Sequence, residues 1–231
     1  MDNARCRRDL YSAAEEICEK VPDNILFYYS GNTMTYRETL ELVIKRAAFL
    51  SKKGFRKNDI IGLLSASSPE WCITLLAITA IGAIALPMDT SFQGKQYESM
   101  VRSAGVKGVF ISDEFRGKIR SVPCMKINRE SCLEKEKFFK YRKISPDDTA
   151  VMLFTSGTTG TPKIVRLSHK NILHVACTCT DLEEYTQDDV TLAILPLFHV
   201  YAFESTFMAP LVTGSSIVLQ NSLKGPDIMK S

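Results

Sequence analysis

The sequence predicts an α/β fold, a mainly parallel sheet with helices on both faces. Three observations predict it. Short apolar runs at 59–64, 83–86, 106–111 and 149–154 read as buried strands. Helix-length stretches with helical spacing or dense apolar content separate the first of these, with short links. Finally, cap and stop residues stand where such helices would begin and end. With 231 residues, 45% of them hydrophobic and 24% charged, the chain can bury a substantial core as one large domain or two small ones.

The first element is an amphipathic helix over 7–20, with Leu10, Ala13, Ala14, Ile17 and Cys18 on one face. Residues 25–30 and 33–35 read as two short strands around a Gly31-Asn32 turn. Thr35 and Glu38 are spaced as a capping box, opening a helix that runs to about Lys53 and stops at Gly54. Ser68-Pro69-Glu70 opens the next helix, with Ser68 as cap and Pro69 at its first position. The apolar run 71–87 is slightly short for a membrane span and is split by Gly82, so it reads as a buried helix entering a buried strand. A helix over 94–104 and the strand 106–111 follow. Residues 112–144 read as a charged surface excursion with one short helix. After the strand 149–154 come a short strand at 164–167 and a helix from His169 to about Thr180, capped by Ser168. A strand at 190–195, a helix over 201–212 ended by Gly214, and a strand at 216–219 complete the pattern. Residues 225–231 look like the start of another helix.

The net charge of +3 is spread along the chain, which gives no footprint for nucleic acid. No apolar leader opens the sequence. The seven cysteines form no CxxC pair and the three histidines no zinc-type cluster, so reduced cysteines and a cytoplasmic location are expected.

Chemistry concentrates at residues 155–163, Thr-Ser-Gly-Thr-Thr-Gly-Thr-Pro-Lys, which follow a buried strand. Small residues let successive backbone N–H groups close around an anion, the hydroxyls add donors, and Lys163 adds a point charge suited to phosphate. The order differs from a Walker A loop: Lys163 follows Pro162, and a strand rather than a helix comes next. The plain alternative, on composition alone, is a surface turn rich in Ser, Thr and Gly.

The same segment resembles the AMP-binding signature of the adenylate-forming superfamily, which includes acyl-CoA synthetases, luciferases and peptide-synthetase adenylation domains. Other segments resemble family motifs in family order: Thr35-Tyr36-Arg37-Glu38, Ser67-Ser68-Pro69-Glu70, Gly82-Ala83 through Pro87, Leu167-Ser168-His169-Lys170-Asn171, and Leu195-Pro196-Leu197-Phe198-His199-Val200. The resemblance implies that residues 1–231 are the N-terminal part of the large adenylation domain. A second sheet would then be incomplete and only started after about Leu167, with the C-terminal part and the small C-terminal domain absent. It implies activation of a carboxylic acid with ATP and Mg²⁺ to an acyl-adenylate, then transfer to CoA. Thr155, Ser156, Gly157, Thr158, Thr159, Gly160, Thr161 and Lys163 would hold the nucleotide phosphates, and Thr155 would also touch Mg²⁺. His199, which on its own reads as a packing residue beside Phe198, would stand near the carboxylate and the acyl pocket. His169 is expected to be structural support in the first turn of its helix.

Two departures from the pattern stand out. Ile164 occupies the usual glycine position after Pro-Lys, which should stiffen the far hinge of the loop. Ala202 and Phe203 replace a glycine, which should narrow the acyl pocket. A fatty acid is the expected substrate, with amino-acid activation as the runner-up. A non-catalytic module that keeps the fold is the competing class. These 231 residues alone are expected to be inactive, and apolar surface left open after about Leu167 is expected to invite homodimerisation.

Overall fold

The computed structural model describes residues 8–131, 143–155 and 163–220. Two sheets share a central helical layer, and a further helix covers the outer face of the larger sheet.

Helix α1 (Leu10–Lys20) starts at Asp9, whose side chain accepts the Ser12 N–H at 3.1 Å. Strands β1 (Ile25–Tyr29) and β2 (Asn32–Thr35) form a hairpin. Its turn residues are Ser30 and Gly31, both at positive φ, one position before the expected Gly31-Asn32. Helix α2 (Tyr36–Lys52) opens on the expected capping box: the Glu38 N–H donates to the Thr35 hydroxyl at 3.2 Å, and the Thr35 N–H to the Glu38 carboxylate at 2.9 Å.

Strand β3 (Ile60–Leu64) leads through Ser68, which caps α3 (Pro69–Ala80), into β4 (Ile84–Pro87). Every residue of α3 except Glu70 is buried, as an apolar run with no polar face requires. Gly82 turns the chain out of α3 at φ +73°, and a Cβ there would press on the Lys57 side chain. Helix α4 (Gly94–Ala104) and strand β5 (Val106–Ile111) follow. The stretch 112–131 is more ordered than the sequence suggests: after one 3₁₀ turn (Asp113–Phe115), β6 (Cys124–Lys126) pairs parallel with β5 and widens the sheet. Residues 132–142 lie outside the described residues. Strand β7 (Thr149–Thr155) runs parallel to β4 and antiparallel to β8 (Lys163–Ser168), giving a six-stranded sheet in the order β6-β5-β3-β4-β7-β8.

Ser168 caps α5 (His169–Leu182), and β9 (Val190–Ala193) and β10 (Ser216–Leu219) flank the last helical segment. That segment comprises α6 (Val200–Ala202), a π-helical stretch (Phe203–Met208) and α7 (Ala209–Thr213). The second sheet is not confined to residues after Leu167. It has four strands, β2-β1-β10-β9, and half of them come from the N-terminal hairpin. Phe27 of β1 stacks on Phe207 with ring centroids 6.3 Å apart, and the Tyr36 hydroxyl donates to the Ser215 carbonyl at 2.7 Å. These contacts span almost the whole chain, beyond the reach of local periodicity. The expected helix start at 225–231 lies outside the described residues.

On one face of the six-stranded sheet, Tyr97, Met100 and Val101 of α4 pack with Leu64, Leu86 and Val109. The other face joins the α1–α3 layer and the second sheet in one core. Among the described residues no helix is long and apolar enough to cross a membrane.

Candidate functional site

A cleft of about 460 Å³ opens at the carboxyl ends of β4 and β7, which run side by side in parallel. Ligands of open α/β sheets bind at such strand ends. Phe92, Met100, Leu153, Phe154 and Phe198 make its walls apolar, and Asp89, Thr155 and His199 supply the polar groups.

Thr155 ends β7 and is exposed. It pairs in register with Lys163, the first residue of β8, and its hydroxyl donates to the Lys163 carbonyl at 3.4 Å. Strands β7 and β8 are thus paired to the last described residue on each side, Thr155 and Lys163. Ser156, Gly157, Thr158, Thr159, Gly160 and Thr161 lie outside the described residues. Ile164 sits in β8 opposite Phe154, partly exposed, where a β-branched residue suits the extended backbone.

His199 reaches the same cleft from a different direction. The Leu197 N–H donates to the buried Ser67 hydroxyl at 3.0 Å, which ties the segment before His199 to the turn opening α3. The His199 N–H donates to the Pro196 carbonyl, and the His199 carbonyl accepts the Phe203 N–H, both at 3.0 Å. His199 thus caps the start of α6, and its exposed ring leans on Phe198 with centroids 4.4 Å apart. Thr155 and the pair Phe198-His199, singled out in separate stretches of the sequence, therefore line one opening.

Asp89 and Phe92 were not singled out in the sequence. Their signal is positional, since both lie just past Pro87 at the carboxyl end of a parallel strand. The Asp89 carboxylate accepts the Ser91 N–H at 2.8 Å, and its carbonyl accepts the Tyr97 hydroxyl at 2.9 Å, which fixes the loop above α4. Ala202 and Phe203 do not line the cleft, contrary to expectation. Both are buried in the core, Phe203 edge-on to Trp71 with centroids 6.4 Å apart.

His169 is structural, as expected. It is 1% exposed, and its Nδ1 accepts the Leu10 N–H at 3.1 Å, joining α5 to α1. Burial pushes its pKa down to about 4, against the pull of the Asp9 and Asp148 carboxylates. Burial also works against the Asp148 carboxylate, but hydrogen bonds from Lys57 and the Ser145 N–H hold it below its ordinary value. Glu204, in the π-helical stretch, is 9% exposed, and burial pushes its carboxyl up to about 7. Sequence reading did not single it out.

Comparison with known proteins identifies the class. The family model described as AMP-binding enzyme matches residues 14–230, and the chain belongs to that family. It is 26% identical to 4-coumarate–CoA ligase 3 of Arabidopsis thaliana over 95% of its own length and 42% of that enzyme's. It is also 26% identical to bacitracin synthase 2 of Bacillus licheniformis, over 93% of its own length but 8% of that protein's. The chain thus spans about two fifths of the 4-coumarate–CoA ligases it resembles. In fold it is similar to the N-terminal subdomain of Klebsiella oxytoca NpsA, solved with 3-hydroxybenzoyl-AMSN. The TM-score is 0.87 at 24% identity, covering 100% of this chain and 58% of that subdomain's chain. ATP-bound MatB of Rhodopseudomonas palustris is likewise similar in fold, with a TM-score of 0.86 at 21% identity, over 96% of this chain and 47% of that one.

Proposed function

We propose that the chain is the N-terminal part of an adenylation domain that activates a carboxylic acid with ATP, and that the whole protein passes the acyl group to a thiol, CoA in our reading. The observation that carries this is the meeting of Thr155 and His199 at one apolar-walled cleft on the carboxyl ends of parallel strands. Residues 155–161 and Lys163 would take the β- and γ-phosphates, so that negative charge moving onto pyrophosphate is met by N–H groups, hydroxyls and one ammonium. His199 would orient the carboxylate for in-line attack on the α-phosphorus. Among the described residues no three His, Cys, Asp or Glu side chains gather to hold a metal. In this reading the Thr155 hydroxyl would be one neutral ligand to a Mg²⁺ that accompanies the nucleotide.

The apolar walls favour an acid with an apolar body, fatty or aryl, and the likeness to 4-coumarate–CoA ligases supports an acid of that kind. Amino-acid activation is the second reading, favoured by the likeness to bacitracin synthase 2. ATP–pyrophosphate exchange separates them, run on the product of the whole reading frame with fatty, aryl and amino acids. Exchange driven by fatty or aryl acids supports the proposal, and exchange driven only by amino acids supports the second reading. No exchange with any acid would favour a binding module that retains the fold.

A further inference from the structure

Asp89 lines the cleft together with Thr155 and His199, and the activation step described above does not use it. It is firmly held. One carboxylate oxygen accepts the Ser91 N–H at 2.8 Å, and its backbone carbonyl accepts the hydroxyl of the buried Tyr97 at 2.9 Å. The Tyr97 ring in turn packs beside Phe92, a wall of the same cleft, with centroids 6.3 Å apart. Among the described residues the Ser91 bond is the one hydrogen bond of the Asp89 side chain, and no ammonium or guanidinium pairs with it. The second carboxylate oxygen therefore has acceptor capacity for whatever fills the cleft.

We propose that Asp89 is a specificity-determining residue: it selects a hydroxylated carboxylic acid and rejects an acid that carries a second carboxylate. The assignment rests on the acid-activating reading of the cleft. A carboxylate only accepts hydrogen bonds. The acid's own carboxylate, also an acceptor alone, therefore lies on His199, whose ring can donate, and not on Asp89. Its body lies along the apolar walls of Phe92, Phe154 and Phe198. A hydroxyl on that body donates to the second Asp89 oxygen. Between such walls a hydroxyl costs less to bury than an ammonium. A carboxylate in the hydroxyl's place meets like charge and finds no donor there.

Isothermal titration calorimetry on the product of the whole reading frame tests this with two matched series. One is octanoate, its ω-hydroxy derivative and octanedioate. The other is cinnamate with its para-hydroxy and para-carboxy derivatives. In at least one series the hydroxy acid should bind about tenfold more tightly than its parent, as a hydrogen bond to a charged acceptor provides. The dicarboxylate should bind about tenfold more weakly than the parent. Asp89→Asn keeps an acceptor for the Ser91 N–H, so the unfolding midpoint should hold. That variant should bring the dicarboxylate to within about threefold of the parent. Pyrophosphate exchange with the same six acids reports separately on the reading beneath. Selective binding without exchange supports the role of Asp89 and removes the activation step. Exchange with hydroxy and parent acids bound equally in both series overturns the role of Asp89 and leaves activation standing. A penalty on the dicarboxylates that persists undiminished in Asp89→Asn overturns it as well.

Discussion

Replacing Glu204 by Gln should steepen the rise of stability with pH between about pH 4.5 and 6.5, because Glu204 and His169 pull in opposite directions there. Burial raises the Glu204 carboxyl from 4.5 to about 7 and lowers the His169 imidazole from 6.5 to about 4. The folded protein holds the Glu204 proton longer than the unfolded chain does. Its contribution is therefore complete below about pH 4.5 and is lost as pH rises to about 7. For His169 the unfolded chain protonates first. Its contribution is complete above about pH 6.5 and is lost as pH falls to about 4. Each separation spans about two and a half pH units, or at most about 3.5 kcal/mol at roughly 1.4 kcal/mol per unit. Residual solvent around the Glu204 carboxyl should cut its share to about half. In the wild type the two slopes partly cancel. In Glu204→Gln the falling limb disappears, so the gap between variant and wild type should widen by about 1.5 kcal/mol across the window. Urea unfolding read by the fluorescence of Trp71, the sole tryptophan and 1% exposed, measures this at each pH. His169→Asn, which keeps an acceptor for the Leu10 N–H, should flatten the rise instead. A gap between Glu204→Gln and wild type that stays constant with pH would refute the reasoning.

Three further outcomes are expected. Thr35→Ala removes the acceptor for the Glu38 N–H and should lower stability by about 1 kcal/mol in the same unfolding assay. Phe203→Ala empties a buried ring site against Trp71 and Phe207 and should cost about 3–5 kcal/mol, while leaving the shape of the cleft unchanged in a crystal structure. Ser67→Ala removes the hydroxyl that holds the Leu197 N–H and should raise the KM for the acid in pyrophosphate exchange more than it lowers kcat, because His199 is then less firmly placed.

Local chemistry is what the sequence made legible. Thr35, Ser68 and Ser168 each cap the helix that their spacing predicts, because a side-chain oxygen three residues before a free N–H is a short-range arrangement. The apolar stretch 71–87 resolves into α3 and β4 with Gly82 at the break, since glycine adopts a positive φ at the least steric cost. The bracketing of 156–162 by a strand on each side was also legible. The pairing of β1 with β10 was not, because a register across nearly 200 residues leaves no periodic trace. The π-helical stretch was likewise invisible: residues 201–212 carry a helical pattern, and the extra residue per turn answers to packing from other elements. Asp89, Phe92 and Glu204 went unnoticed for the same reason, each owing its surroundings to segments far away in sequence.

The central claim is that the segment between Thr155 and Lys163 exists to grip polyphosphate, and Lys163→Ala tests it most directly. Pyrophosphate exchange by the whole protein, with kcat and the acid KM determined separately, should show kcat falling at least about 100-fold while the acid KM stays within about threefold. Exchange at the wild-type rate in Lys163→Ala would contradict the account.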